Sequence, residues 1–240
     1  MKKIVLSLSL LALLSACGGD DSTQPANTAS SGEEKAQAKA EAPASTETAA
    51  TPTSAPAASP STTAPVEEKV LTDVDYSNEA ALAKASVMAL GGSLKGELLK
   101  AMKEGGPVAA IPVCHEKAPA IAQQVSSEKG VTVSRTSLNY RNPENAPVAW
   151  QKTVLEDFEA RKAKGEDPQK MAYSAVVESN GKKEFRFMKA IPTGGVCLNC
   201  HGATVQPDVL TKIKALYPDD KATGYVVGDI RGAFVVTKPF

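Results

Sequence analysis

The chain has 240 residues, with 27 basic and 27 acidic side chains, a formal net charge of zero, 42% hydrophobic residues and 5% aromatic residues. That balance lacks the basic excess that nucleic-acid binding requires, so no nucleic-acid partner is expected. The apolar residues suffice for one well-buried core, but they are distributed unevenly, and the two halves of the chain differ in kind.

Residues 1–16 read as a signal peptide. Lys2 and Lys3 precede the apolar run Ile4 to Leu14, and the small residues Ser15 and Ala16 lead to Cys17. The run is too short for a permanent membrane span. Leu14-Ser15-Ala16-Cys17 resembles a bacterial lipobox, which implies that Cys17 becomes the acylated first residue of the mature protein. Several acyl chains on one residue give stable anchorage at a membrane surface. Gly18 rather than aspartate follows Cys17, a pattern associated with the periplasmic face of the outer membrane. The mature chain then begins with residues 17–69, rich in Ala, Ser, Thr, Pro and Glu, with eight acidic residues and three lysines between Gly18 and Lys69. Such a segment cannot bury enough surface to offset its ordering entropy and is expected to be a disordered tether.

Residues 70–240 hold the expected globular domain. Ala83, Val87, Leu90, Leu94, Leu98 and Met102 recur at spacings of three and four, predicting a helix capped by Ser77 and stopped by Gly105-Gly106-Pro107. A second helical segment, 107–127, contains Pro112 and Pro119, so a break or kink is expected around 113–117, where Cys114 and His115 lie. A strand over 131–137 leads to a turn-rich loop at 141–145. A helix started by Asn145 follows, with Trp150, Val154 and Phe158 toward the core. Two β-rich runs, 173–178 and 184–191, flank Asn180-Gly181, a dipeptide suited to a tight hairpin. A helix over 207–216, with Leu210, Ile213 and Leu216 on one side, and a strand over 232–238 complete an α+β domain.

The chemistry is concentrated in Cys197-Leu198-Asn199-Cys200-His201. Two thiols at this spacing can each add to a vinyl group of a haem, and the adjacent histidine is placed to ligate the iron. Cys197, Cys200 and His201 are therefore read as the attachment site of one covalent haem c, with His201 as an axial ligand. Two other uses of these residues compete. A redox-active disulfide normally opens a helix after a strand, whereas glycines bracket this motif. A structural zinc site built from Cys114, Cys197, Cys200 and His201 would have to use two adjacent residues in one tetrahedron. The sixth iron ligand remains open among Cys114, His115, Met102, Met171 and Met188. Core packing competes for the methionines, and Cys114 is the cysteine left without a use. Arg135, Arg141 and Arg231 suit haem propionates, a bound anion, or structural turns alike.

Several further motifs accompany this pentapeptide in order: Ile111-Pro112-Val113-Cys114, Arg135-Thr136-Ser137-Leu138, Arg141-Asn142-Pro143, Asn145-Ala146-Pro147 and Gly228-Asp229-Ile230-Arg231-Gly232-Ala233-Phe234. Together with Cys197-Leu198-Asn199-Cys200-His201-Gly202 they resemble a family of bacterial periplasmic c-type haem proteins, formerly a domain of unknown function. The resemblance covers roughly residues 78–240. It implies a PAS-like antiparallel sheet flanked by helices, and a distal cysteine ligand that maps onto Cys114. The expected function is that of a redox or gas sensor or a low-potential electron carrier, rather than an enzyme of peroxidase or reductase type. No output module is visible in the chain, so a separate signalling protein or redox partner is expected.

Overall fold

The structure, a computed structural model, describes residues 68–240. The expected signal peptide, Cys17 and the expected tether as far as residue 67 lie outside the described residues; the last two residues assigned to the tether are structured, with Glu68 paired to Arg186 and Lys69 opening a strand.

Strand β1 (Lys69–Leu71) precedes the long helix α1 (Ser77–Pro112). The apolar stripe behaves as its spacing dictates, with Ala83, Val87 and Leu90 buried. Ser77 is not the cap: it lies inside the helix, and Asp75 Oδ1 accepts its backbone N–H at 2.9 Å. The expected stop at Gly105-Gly106 is a kink instead. Gly106 adopts φ 69°, and Pro107, whose fixed φ suits a helix start, resumes the helix beyond it.

The predicted break at 113–117 is a π-helical turn, Val113–Lys117, leading directly into α2 (Ala118–Lys129). Pro112 lacks the N–H that a regular α-turn would use, and a widened turn accommodates that loss without ending the helix. Gly130, at φ 64°, closes α2. Then come β2 (Thr132–Thr136), a 3-10 turn at Pro143–Asn145, and α3 (Ala149–Ala163). Asn145 therefore ends a 3-10 turn and does not start α3. That turn is capped by Asn142, whose side chain accepts the Glu144 N–H, and Ala146 is extended beyond it.

Strands β3 (Ala172–Ser179) and β4 (Lys182–Pro192) form the expected hairpin, with Asn180 at φ 54° and Gly181 at φ 71°. A 3-10 turn at Gly195–Cys197 runs into the single turn α4 (Leu198–His201), followed by α5 (Pro207–Leu216) and β5 (Ile230–Pro239). The inner face of α5 is formed by Val209, Ile213 and Tyr217, with Leu210 and Leu216 only half-buried.

The fold is the α+β, PAS-like arrangement expected: a five-stranded antiparallel sheet in the order β1-β3-β4-β5-β2, with helices on both faces. Alternation along each strand sorts the core. Phe185, Phe187 and Val236 pack toward α1 and α2, whereas Met188, Ala190, Ala233 and Val235 pack toward α3. Each fully buried phenylalanine contributes about 1.5–3 kcal/mol relative to exposure. A third cluster, Ile111, Val209, Ile213 and Tyr217, packs α5 against the end of α1, and Cys200 borders it.

Candidate functional site

Gly194 is extended, and the chain then tightens through the 3-10 turn into α4. Residues three apart on helical turns lie on one side, so Cys197 and Cys200 share a face. The Gly194 N–H donates to Cys197 Sγ at 3.4 Å. Cys200 is bordered by the Ile111 cluster; burial pushes its thiol pKa up, and Arg141 opposes that shift. Gly202 ends the turn with its N–H on Leu198 O at 3.0 Å. A Cβ there would lie 2.7 Å from that same carbonyl, so only glycine lets the chain leave directly after His201.

The orientation of His201 comes from the segment preceding β5. Its Nδ1 lies 2.7 Å from Ala222 O. A carbonyl only accepts, so Nδ1 carries the proton and Nε2 presents its lone pair. Burial, reinforced by the nearby positive charges of Arg231 and Arg141, holds the imidazole pKa well below 6.5. His201 is therefore a neutral ring with one free donor nitrogen. Tyr225 N–H to His201 O at 2.9 Å and Gly224 N–H to Gly202 O at 3.0 Å fasten the same segment to α4.

Arg141 connects these parts. Its Nε donates to Asp220 Oδ1 at 3.0 Å and its Nη2 to Asp220 Oδ2 at 3.1 Å; Nη2 also reaches Cys200 O at 2.7 Å and Ala222 O at 3.2 Å. Both side chains are only 8% exposed. The carbonyl that orients His201 is thus held by the guanidinium that holds the backbone of Cys200. Sequence reasoning singled out Arg141 but missed Asp220 and Ala222, since nothing local marks partners so distant in the chain.

Two further arginines face the site. Arg231, on β5, donates from Nη1 to Ser137 Oγ at 3.0 Å and Asn139 O at 3.2 Å, and its Nε points at His201 Nε2 over 3.5 Å. Arg135, on β2, has no side-chain hydrogen bond or ion pair among the described residues, and burial lowers the pKa of both groups. The two arginines come from neighbouring strands, β2 and β5, and line the same cavity. Gly232 permits that approach: a Cβ at this position would sit 2.3 Å from Thr136 O. A cavity of about 110 Å³ is lined by Arg135, Arg141, His201, Arg231, Tyr140 and Gly232 among others, and no carboxylate lines it.

Of the distal candidates, Cys114 is half-buried on the π-helical turn. Charge on its sulfur is felt by Cys200, Arg135 and Tyr217. His115 is exposed, with its ring edge-on to Tyr217 at 5.2 Å. Tyr217 is buried, which together with charge at Cys114 pushes its hydroxyl up to about 12, so it stays a donor at neutral pH. Met171 and Met188 are fully buried in the core on the α3 side, and Met102 is half-buried on α1. Among the described residues, no three His, Cys, Asp or Glu side chains are gathered as a metal-ion site, so the four donors of the zinc alternative do not converge.

The donor set fits a c-type haem: two thiols on one short turn, a neutral imidazole whose Nε2 lone pair faces the cavity beside them, and two guanidinium groups, Arg135 and Arg231, without a carboxylate partner among the described residues.

A family model described as Tll0287-like (Tll0287) matches residues 26–239. The crystal structure of the cyanobacterial heme-protein Tll0287 is similar at 22% sequence identity and a TM-score of 0.48, covering 69% of this chain and 97% of that one. No curated protein matches the chain.

Proposed function

Because the chain belongs to the Tll0287-like family, we propose that it is a haem protein, with one covalent haem c held by thioethers from Cys197 and Cys200 and ligated by His201. The observation that carries this is the state of His201: neutral, with Nδ1 committed to Ala222 O and the Nε2 lone pair met only by Arg231 Nε over a long 3.5 Å, directly after two thiols on one face. When bound, haem supplies a one-electron ferric/ferrous couple.

Cys114 is the proposed distal ligand. It is half-buried on the π-helical turn, whereas the neighbouring His115 is exposed. An anionic sulfur donor favours the ferric state, so the potential lies below that of a His/Met cytochrome. Single π-turns within helices are frequent at functional sites, and release of Cys114 would free this one to change its winding. That favours a redox or gas sensor, with a low-potential electron carrier as the second reading. A sixth ligand from the chain would block the site at rest against peroxidase or reductase chemistry, so the protein is read as non-enzymatic.

We further propose, from the Lys2-Lys3, Ile4 to Leu14 and Leu14-Ser15-Ala16-Cys17 motifs, export, acylation at Cys17 and residence at the periplasmic face of a membrane, the outer membrane for preference. Its partner is a separate redox or signalling protein.

Covalent attachment and anchorage are tested together. Protein from a haem-maturing host should keep its colour through acid acetone and stain for haem after denaturation. The Cys197→Ser/Cys200→Ser double variant should lose that stain, and Cys17→Ser should keep it while leaving the membrane fraction. A colourless wild type sinks the haem reading, and unchanged membrane partitioning of Cys17→Ser sinks the anchor.

A further inference from the structure

Three guanidinium groups surround one cavity beside His201, and the structure divides them into two kinds. Arg141 is neutralised by the bidentate pair with Asp220 and spends its remaining donor capacity on two backbone carbonyls. Arg135 and Arg231 have no carboxylate partner among the described residues, although burial disfavours their charge. An arginine cannot lose its proton at any working pH, so each remains a cation. Both are half-buried, and a charge partly withdrawn from water is stabilised by a counter-ion.

We propose that Arg135 and Arg231 are the propionate clamp of the haem, each guanidinium taking one carboxylate, while Arg141 is a strut with no part in it. This rests on the haem reading above. The charge count agrees: two uncompensated cations and a ligand bearing two carboxylates. The donor geometry agrees as well, because the planar fork matches a carboxylate with two parallel N–H bonds. Arg231 has a further reason to take an anion. Its Nε is directed at His201 Nε2 over a long 3.5 Å, and that nitrogen's lone pair is the one committed to iron, so ligation frees the Nε donor. Gly232 is what allows the two arginines to share the cavity, by letting β5 approach Thr136 O.

The test uses the exported holoprotein, with haem content measured first on denatured protein. Arg135→Gln removes no side-chain hydrogen bond made to the described residues, so its fold should be retained, and every readout is taken per bound haem. In this variant and in Arg231→Gln, the propionate bending band in the resonance Raman spectrum should shift. The ferric/ferrous equilibrium at fixed potential should move toward ferric by about tenfold, because a positive charge that favoured the added electron is gone. Arg135→Lys should restore most of the potential but not the band, since it returns the charge without the fork. Wild-type haem content with an unmoved propionate band and potential in both glutamine variants overturns the clamp and leaves the haem reading standing. A potential that shifts on adding inorganic phosphate to the wild type, and no longer does so in Arg135→Gln, also overturns it, by showing that the anion comes from solution. Absence of haem from the wild type overturns both.

Discussion

Cys114→Ala is expected to keep haem attached through Cys197 and Cys200 while replacing a low-spin thiolate ferric spectrum by a high-spin one, and to raise the reduction potential. The turn carrying Cys197, Cys200 and His201 and the π-helical turn carrying Cys114 are separate elements, so removing the proposed distal sulfur should leave the proposed attachment residues in place. The direction of the potential follows from charge. An anionic donor stabilises ferric over ferrous iron, and its loss removes that preference. His115→Ala is the internal control. With its ring exposed and edge-on to Tyr217, it should leave the ferric spectrum nearly unchanged. The opposite pair of results, a spectrum altered by His115→Ala and untouched by Cys114→Ala, would make the protein a bis-histidine cytochrome and favour simple electron transfer.

Arg141→Met should be the most damaging single substitution near the site, lowering stability by about 3–5 kcal/mol, because it leaves the Asp220 carboxylate buried without its partner. For a domain of this size that corresponds to a fall in Tm on the order of 10 °C. The cost reaches the site directly. The carbonyls of Cys200 and Ala222 lose a donor in the same step, and Ala222 O is the group that fixes the His201 tautomer. Arg141→Met/Asp220→Leu should recover much of the stability, since replacing both members of a buried pair by apolar residues is far milder than breaking it. Thermal unfolding of the two variants measures this coupling, and additive losses would show that the pair is not the source of the effect.

What the sequence makes legible here is local. The α1 stripe, the Asn180-Gly181 hairpin and the change at 113–117 each arise from residues within one or two turns of each other, and the structure contains all three. The proline argument located the irregularity at Cys114 but not its form, because a break and a widened turn both answer a missing N–H. Helix starts were read less well. Ser77 and Asn145 both have capping side chains, yet Asp75 accepts at the first site and the second belongs to a 3-10 turn.

The motif Cys197 to His201 is visible by spacing alone, but the network that sets His201 is not. Asp220 and Ala222 meet Arg141 only through the tertiary fold, and Arg135 and Arg231 reach one cavity in the same way. Three arginines that look alike in sequence are separated by a single fact of the fold, namely which one has a carboxylate.

The most direct test of a haem held between His201 and Cys114 is the absorption spectrum of the exported holoprotein, oxidised and reduced, with and without carbon monoxide. A low-spin ferric spectrum with thiolate character, a c-type band on reduction, and carbon monoxide binding to the reduced form as Cys114 leaves the iron are expected. Reduced protein that does not take carbon monoxide would favour the carrier over the sensor. A colourless protein, or a ferric spectrum without thiolate character, would contradict the account.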